Sequence, residues 1–286
     1  MASDVKICGM AITDWERVIA EGVRVPAGLS LGDLTADLTR MLGDPDPHIR
    51  DAVAFPTIAT WISEGIYDDL LSALGDGMCT GLRVGLGESE TDTVFRRSFS
   101  ALVLAECIDR DNQANVLSDH TILSWGDQLT TWLTRENDLR GFVVAKGYAH
   151  AIAHGGDALA ALSRSPKIGR MELLVLLDVI ADRLLTPTKQ FFVCAEEDRL
   201  AHAVVNILNR DLLELEVLEP WLARLANGAY MSGNANRNPF LVSGNVQKFL
   251  RSLHMQLSLG RNRPAVRADL LLTLSDHLRR TNAGFL

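Results

Sequence analysis

Apolar residues along this chain recur every three or four positions almost throughout, the spacing of helices that each bury one face. A short helix around Trp15 ends before Gly22. From Leu31 to Leu42 the leucines at 31, 34, 38 and 42 share a face, and Ser30 stands where an N-cap is needed. Gly43 and the DPDP run then stop the pattern. Asp46 can cap the next helix, Pro47 suits its first position, and the helix is expected to run through Trp61. Pro56 should kink it, because proline removes one hydrogen bond and crowds the preceding turn. The same periodicity predicts helices over 66–75, 93–108, 115–133, 139–162, 169–185, 195–210, 214–226, 239–258 and 263–281. No alternation of period two is sustained, so no strand is expected. Two glycine-rich breaks stand out, at 75–90 and at 227–238, the second a loop before the last helices.

Consecutive amphipathic helices with short turns cannot each bury an apolar face alone. The fold class expected is therefore all-α: a HEAT/armadillo-like α-solenoid of stacked helix pairs, forming one helical-repeat domain over 1–286. The competing architecture is a closed helical bundle.

Composition narrows the function classes. Hydrophobic residues make up 47% and charged residues 22%, with a net charge of −8, which argues for a globular chain and against a general nucleic-acid surface. Arginines near the C-terminus (251, 261, 263, 267, 279 and 280) fit a solvated helical face. Cys8, Cys79, Cys107 and Cys194 have no CxxC spacing and read as isolated thiols in a reducing cytoplasm. The first residues lack a signal-peptide pattern, and the most apolar run, 171–180, is about half of what spans a bilayer. The expected setting is cytoplasmic, with no membrane and no nucleic acid as partner.

Several stretches, in order, carry a family likeness: DPHIRDAVAFPTIATWI at 46–62, DTVFRRSFSALVLA at 92–105, RGFVVAKGYAHAIAHGGDAL at 140–159, AEEDRLAHAV at 195–204 and GNVQKFLRSLHMQL at 244–257. Together they resemble a bacterial family catalogued as domain of unknown function 2785 (DUF2785). The resemblance implies an all-helical, HEAT-like fold and brings no established activity. Where the family pattern leads one to expect tryptophan, this chain has Tyr148, which keeps an aromatic ring and loses the indole hydrogen bond.

The candidate chemistry sits in K-G-Y-A-H-A-I-A-H-G-G-D. On a continuous helix His150, His154 and Asp157 fall at i, i+4 and i+7, on one face, with Lys146 at i−4. Two imidazoles so spaced can reach one divalent metal (zinc, iron or manganese), and the carboxylate can supply a third ligand. HxxxH alone is common, and Ala151 stands where HExxH has its glutamate. Gly155 and Gly156 can also end the helix and turn Asp157 away. The same residues serve equally as interhelical hydrogen-bonding groups, or as a metal-free polar pocket that uses Lys146.

Glu196, Glu197, Asp198 and Arg199 open a predicted helix, where carboxylates suit the macrodipole; Glu197 or Asp198 can also join the His150 cluster as a ligand or general base. Arg97 can bind an anion or pair with Asp51 or Asp92 to fix neighbouring helices. Three functional readings follow. The first is a binding protein with a central polar pocket for a small molecule or peptide on its concave face, lined by Arg97, Lys146, Tyr148 and Arg199. The second is a metal-assisted or acid–base enzyme that uses His150, His154, Asp157 and Glu197. The third is a structural or assembly protein with no ligand.

Overall fold

The computed structural model describes residues 10–231 and 238–286. Half of the loop expected at 227–238 lies outside the described residues, and helix α10 carries on through Gly228. Twelve α-helices make up the described chain: α1 (Ile12–Ala20), α2 (Leu31–Met41), α3 (Phe55–Ser63), α4 (Leu71–Gly81), α5 (Thr93–Ala114), α6 (Asp119–Arg135), α7 (Ala151–Arg164), α8 (Arg170–Leu185), α9 (Glu196–Leu208), α10 (Leu215–Gly228), α11 (Phe240–Leu259) and α12 (Arg267–Thr281). Ser30 caps α2 as expected, its Oγ accepting from the Asp33 N–H at 3.4 Å. The helix expected over 115–133 starts later, at Asp119, where Ser118 Oγ accepts from the Thr121 N–H at 3.1 Å. Among the described residues no helix is long and apolar enough to cross a membrane.

Their packing follows an odd–even rule. α3, α5, α7, α9 and α11 each lie against the next, and so do α4, α6, α8, α10 and α12; neighbours in sequence join the two rows. α7 lies in the middle of the first row and is buried along nearly all of its length. Its small residues explain how closely its neighbours approach. A Cβ at Gly155 would lie 2.7 Å from Leu133 of α6, and one at Gly156 would lie 2.9 Å from the Arg199 backbone of α9. These glycines do not end the helix, as the sequence allowed. They let it be gripped from both sides.

Three further expectations are corrected. The break at 75–90 begins later, because α4 continues to Gly81 and buries Met78 and Cys79. The Pro56 kink takes the form of a wide π-helical segment, His48–Ala54, running directly into α3 with Pro56 in its first turn. The predicted helix over 139–162 is not one helix. Phe142–Val143 (β1) and Gly147–Tyr148 (β2) form a small antiparallel hairpin, turned by Ala145 and Gly147 at φ of 65° and 77°. Two positive φ values in three residues are incompatible with a right-handed helix, so α7 starts only at Ala151.

The hairpin is clamped from the first helices. Arg50, fully buried against the rings of Phe95 and Phe99, donates to the Lys146 carbonyl at 2.8 Å and to Asp44 O at 2.7 Å. It also pairs with its neighbour Asp51 at 2.7 Å.

Candidate functional site

Two connections at the ends of the α5–α7–α9 row meet: residues 136–150, which lead into α7, and residues 186–195, which lead into α9. Each delivers its helix through a non-glycine residue in the left-handed region, His150 at φ 49° and Ala195 at φ 64°. That conformation costs on the order of 1 kcal/mol or more and persists only where surrounding contacts impose it. Here the His150 N–H donates to the carbonyls of Arg140 and Gly141 at 3.1 and 3.2 Å, which pins the histidine at the junction.

Pinned there, His150 faces Cys194 and Glu196. One ligand atom from each of the three lies within 4.8 Å of the others. Their side chains nevertheless do not satisfy one another: His150 Nε2 and Glu196 Oε1 are buried without a hydrogen-bond partner, as is Glu197 Oε2 next door. The other oxygen of Glu196 accepts from the Cys194 N–H at 2.8 Å, which fixes the carboxylate. Gly141 keeps the space open. A Cβ there would come 2.5 Å from both Cys194 Sγ and Glu196 Oε1. Burial pushes the Glu196 carboxyl and the Cys194 thiol up, with the Glu196 charge adding to the effect on the thiol. Burial, and then the Arg199 charge, pull His150 down toward the neutral imidazole. The His150 ring lies 4.6 Å from that of Tyr148, which is half exposed at the mouth of the cluster.

The sequence-predicted face does not assemble as a face. Lys146 sits in the hairpin turn and pairs with Asp92 at 2.7 Å, so it is not one turn before His150 on a helix. His154 is on α7 and buried, with Nδ1 held by Ser98 Oγ at 2.8 Å; burial and the nearby His150 push it down to about 3. Asp157 binds Arg199 through both oxygens at 2.7 and 2.6 Å, bridging α7 to α9 at the surface. Among the described residues His150, His154 and Asp157 form no common ligand set: His154 Nδ1 is taken by Ser98 and both Asp157 oxygens by Arg199, while His150 Nε2 has no partner. Glu197 keeps one unpartnered oxygen and lies 3.6 Å from Lys248.

Arg97 pairs with neither Asp51 nor Asp92. It forms a fully buried bidentate pair with Glu136 at 2.6 and 2.9 Å, and donates to Val84 O, Gly85 O and Thr93 Oγ1, each at 2.9 Å. Glu136 also accepts from Trp132 Nε1 at 3.0 Å and from the Asp138 N–H at 2.9 Å. That leaves Arg97 no free donor nitrogen for an anion.

Beyond Glu136 a polar cleft of about 410 Å³ opens, lined by Glu90, Asn137, Leu139, Arg183, Thr188 and Gln190 among others. Arg183 is buried and gives one donor to the Glu136 carbonyl at 2.7 Å, while its Nε has no partner. Gln190 Oε1 is likewise unpartnered. Cys194, Arg183 and Gln190 were missed from sequence. None belongs to a motif, and only the meeting of the two connections gives them neighbours.

The model of the family described as "Protein of unknown function (DUF2785)" matches residues 82–255, from the end of α4 to α11. The chain belongs to the DUF2785 family. The DUF2785 match covers the hairpin, both connections, the histidine–cysteine–glutamate cluster and the cleft, whereas the stretch at 46–62, with Arg50, lies outside it. No curated protein and no solved structure matches the chain.

Proposed function

We propose that this DUF2785 protein is a HEAT/armadillo-like α-solenoid of stacked helix pairs that binds a small polar molecule where residues 136–150 and 186–197 meet. The odd–even packing of α3 to α12 supports the solenoid, since each pair leans on the pair before and after it. One observation carries the binding role. Seven buried side-chain atoms among the described residues lack a partner, and five of them, on His150, Arg183, Gln190, Glu196 and Glu197, gather at these connections. Leaving a buried polar group unpaired costs about 1–3 kcal/mol, so such a concentration fits groups reserved for a ligand.

The cleft suits a small anion that also carries a hydrogen-bond donor, such as a hydroxyl. Arg183 offers the charge and a free N–H, and the unpartnered Gln190 Oε1 in the same lining can accept from the ligand. Saturation-transfer NMR with a panel of small carboxylates and phosphates tests this. Binding by at least one member, weakened in both Arg183→Gln and Gln190→Ala, is expected. If no member binds, or if both variants bind unchanged, the cleft is not the binding site.

A metal-assisted enzyme is the second reading, favoured by a different observation: an imidazole, a thiol and a carboxylate converge beside the half-exposed Tyr148.

A further inference from the structure

We propose that His150 Nε2, Cys194 Sγ and Glu196 Oε1 bind one divalent transition-metal ion, best matched by Zn²⁺, with a fourth position open toward Tyr148. The site is distinct from the cleft and does not depend on the reading given to the cleft.

Chemistry selects the ion. A thiolate and an imidazole are soft and borderline donors, which favour zinc and its neighbours over magnesium or calcium. Thiolate and carboxylate together carry two negative charges, and a neutral imidazole adds none. A divalent ion therefore leaves the partly buried cluster without net charge. Tetrahedral bonds of about 2.0–2.3 Å set ligand atoms roughly 3.3–3.8 Å apart. One ligand atom from each residue already lies within 4.8 Å of the others, so side-chain rotations that move them by about 1 Å close the set.

Three features favour a metal here. Glu196 is 1% exposed, yet Oε1 has no partner, while its Oε2 is held by the Cys194 N–H in the way an outer-shell contact orients a ligating carboxylate. His150 Nε2 is buried and unpartnered on a ring held by its left-handed backbone and by Tyr148. Gly141 leaves free the space that Cys194 Sγ and Glu196 Oε1 both border, and any side chain there would fill it. Three protein ligands leave one position of a tetrahedral ion for water or substrate, which is the arrangement of catalytic rather than purely structural zinc.

The full chain, stripped with a chelator, is titrated with Zn²⁺ alone against a chromophoric competitor, and separately with Co²⁺. One equivalent of each should bind, with Co²⁺ giving four-coordinate d–d bands and a sulfur-to-metal charge-transfer band. Cys194→Ser should abolish the charge-transfer band. His150→Gln and Glu196→Gln should each weaken zinc by at least about tenfold. His154→Phe and Asp157→Asn should bind as the wild type does, and so should Arg183→Gln, which separates this site from the cleft. Circular dichroism confirms that each variant is folded, and Glu196→Gln keeps an acceptor for the Cys194 N–H if Cys194→Ser does not fold. Substoichiometric binding, a charge-transfer band that survives Cys194→Ser, or zinc lost on Asp157→Asn but kept on Glu196→Gln overturns the proposal.

Discussion

Two polar clusters, one fully buried and one partly, lie at the two ends of the 136–150 segment, and they are built in opposite ways. In the first, Arg97 and Glu136 have no exposed surface, and every donor nitrogen of the guanidinium and both carboxylate oxygens are engaged. In the second, His150, Cys194 and Glu196 converge without bonding through the atoms they turn on one another. Both require burial of groups that water would otherwise solvate. The first recovers that cost inside the protein and ties α5 to the end of α6. The second recovers only part of it, so its groups are left ready for something the chain does not itself supply. Residue type does not separate scaffold from site here. Completeness of hydrogen bonding does.

The sharpest way to break the comparison is to remove one partner from each side. Glu136→Gln leaves the Arg97 charge buried without a counterion and should cost about 3–5 kcal/mol in urea unfolding. A loss below about 1 kcal/mol would show that the first cluster is not scaffold.

Comparable in size is an acid effect at His154. Its folded-state value, about 3, lies below the ordinary 6.5, so the fold favours the neutral ring. That contribution is complete above about pH 6.5 and is lost as pH falls from there toward 3, on the order of 5 kcal/mol in all. His154→Gln should flatten the dependence of stability on pH over that window. An unchanged slope would place the acid sensitivity elsewhere.

Gly156→Ala should destabilise by about 1–3 kcal/mol, since its methyl meets the α9 backbone. Gly77→Ala, with nothing within 4 Å, should be neutral or stabilising by up to about 1 kcal/mol. Equal effects at the two glycines would mean that α7 is not gripped as described. Smaller still is Asp157→Asn, which removes a surface pair whose arginine is half exposed; the expected cost is at most about 1 kcal/mol, reduced further by salt.

Much of the scaffold was legible in the sequence. Ser30 marks where α2 starts, and the leucine spacing of α2 gives its buried face. The error at 139–162 has a specific origin. His150 and His154 are four apart, so the segment looks helical, yet His150 is the residue before α7 and only its carbonyl belongs to the helical pattern, accepting from the His154 N–H at 2.9 Å. The turn at Ala145–Gly147 is a weak local signal, and the buried Arg50, 96 residues away, grips it through the Lys146 carbonyl. The ligand set was illegible for the same reason. Glu196 looked like a helix-start carboxylate and Cys194 like an isolated thiol, and each description holds locally. Their convergence on His150 exists only once α7 and α9 are side by side.

The thermal midpoint of the full chain, measured in chelator and again in excess Zn²⁺ for the wild type and for Glu196→Gln, tests most directly whether the incomplete cluster is a site. In chelator the variant should melt within about 0.5 kcal/mol of the wild type, because Oε1 has no partner to lose. In zinc the wild-type midpoint should rise and that of the variant should not. A Glu196→Gln protein that is strongly destabilised in chelator, or that gains as much from zinc as the wild type, would contradict the account.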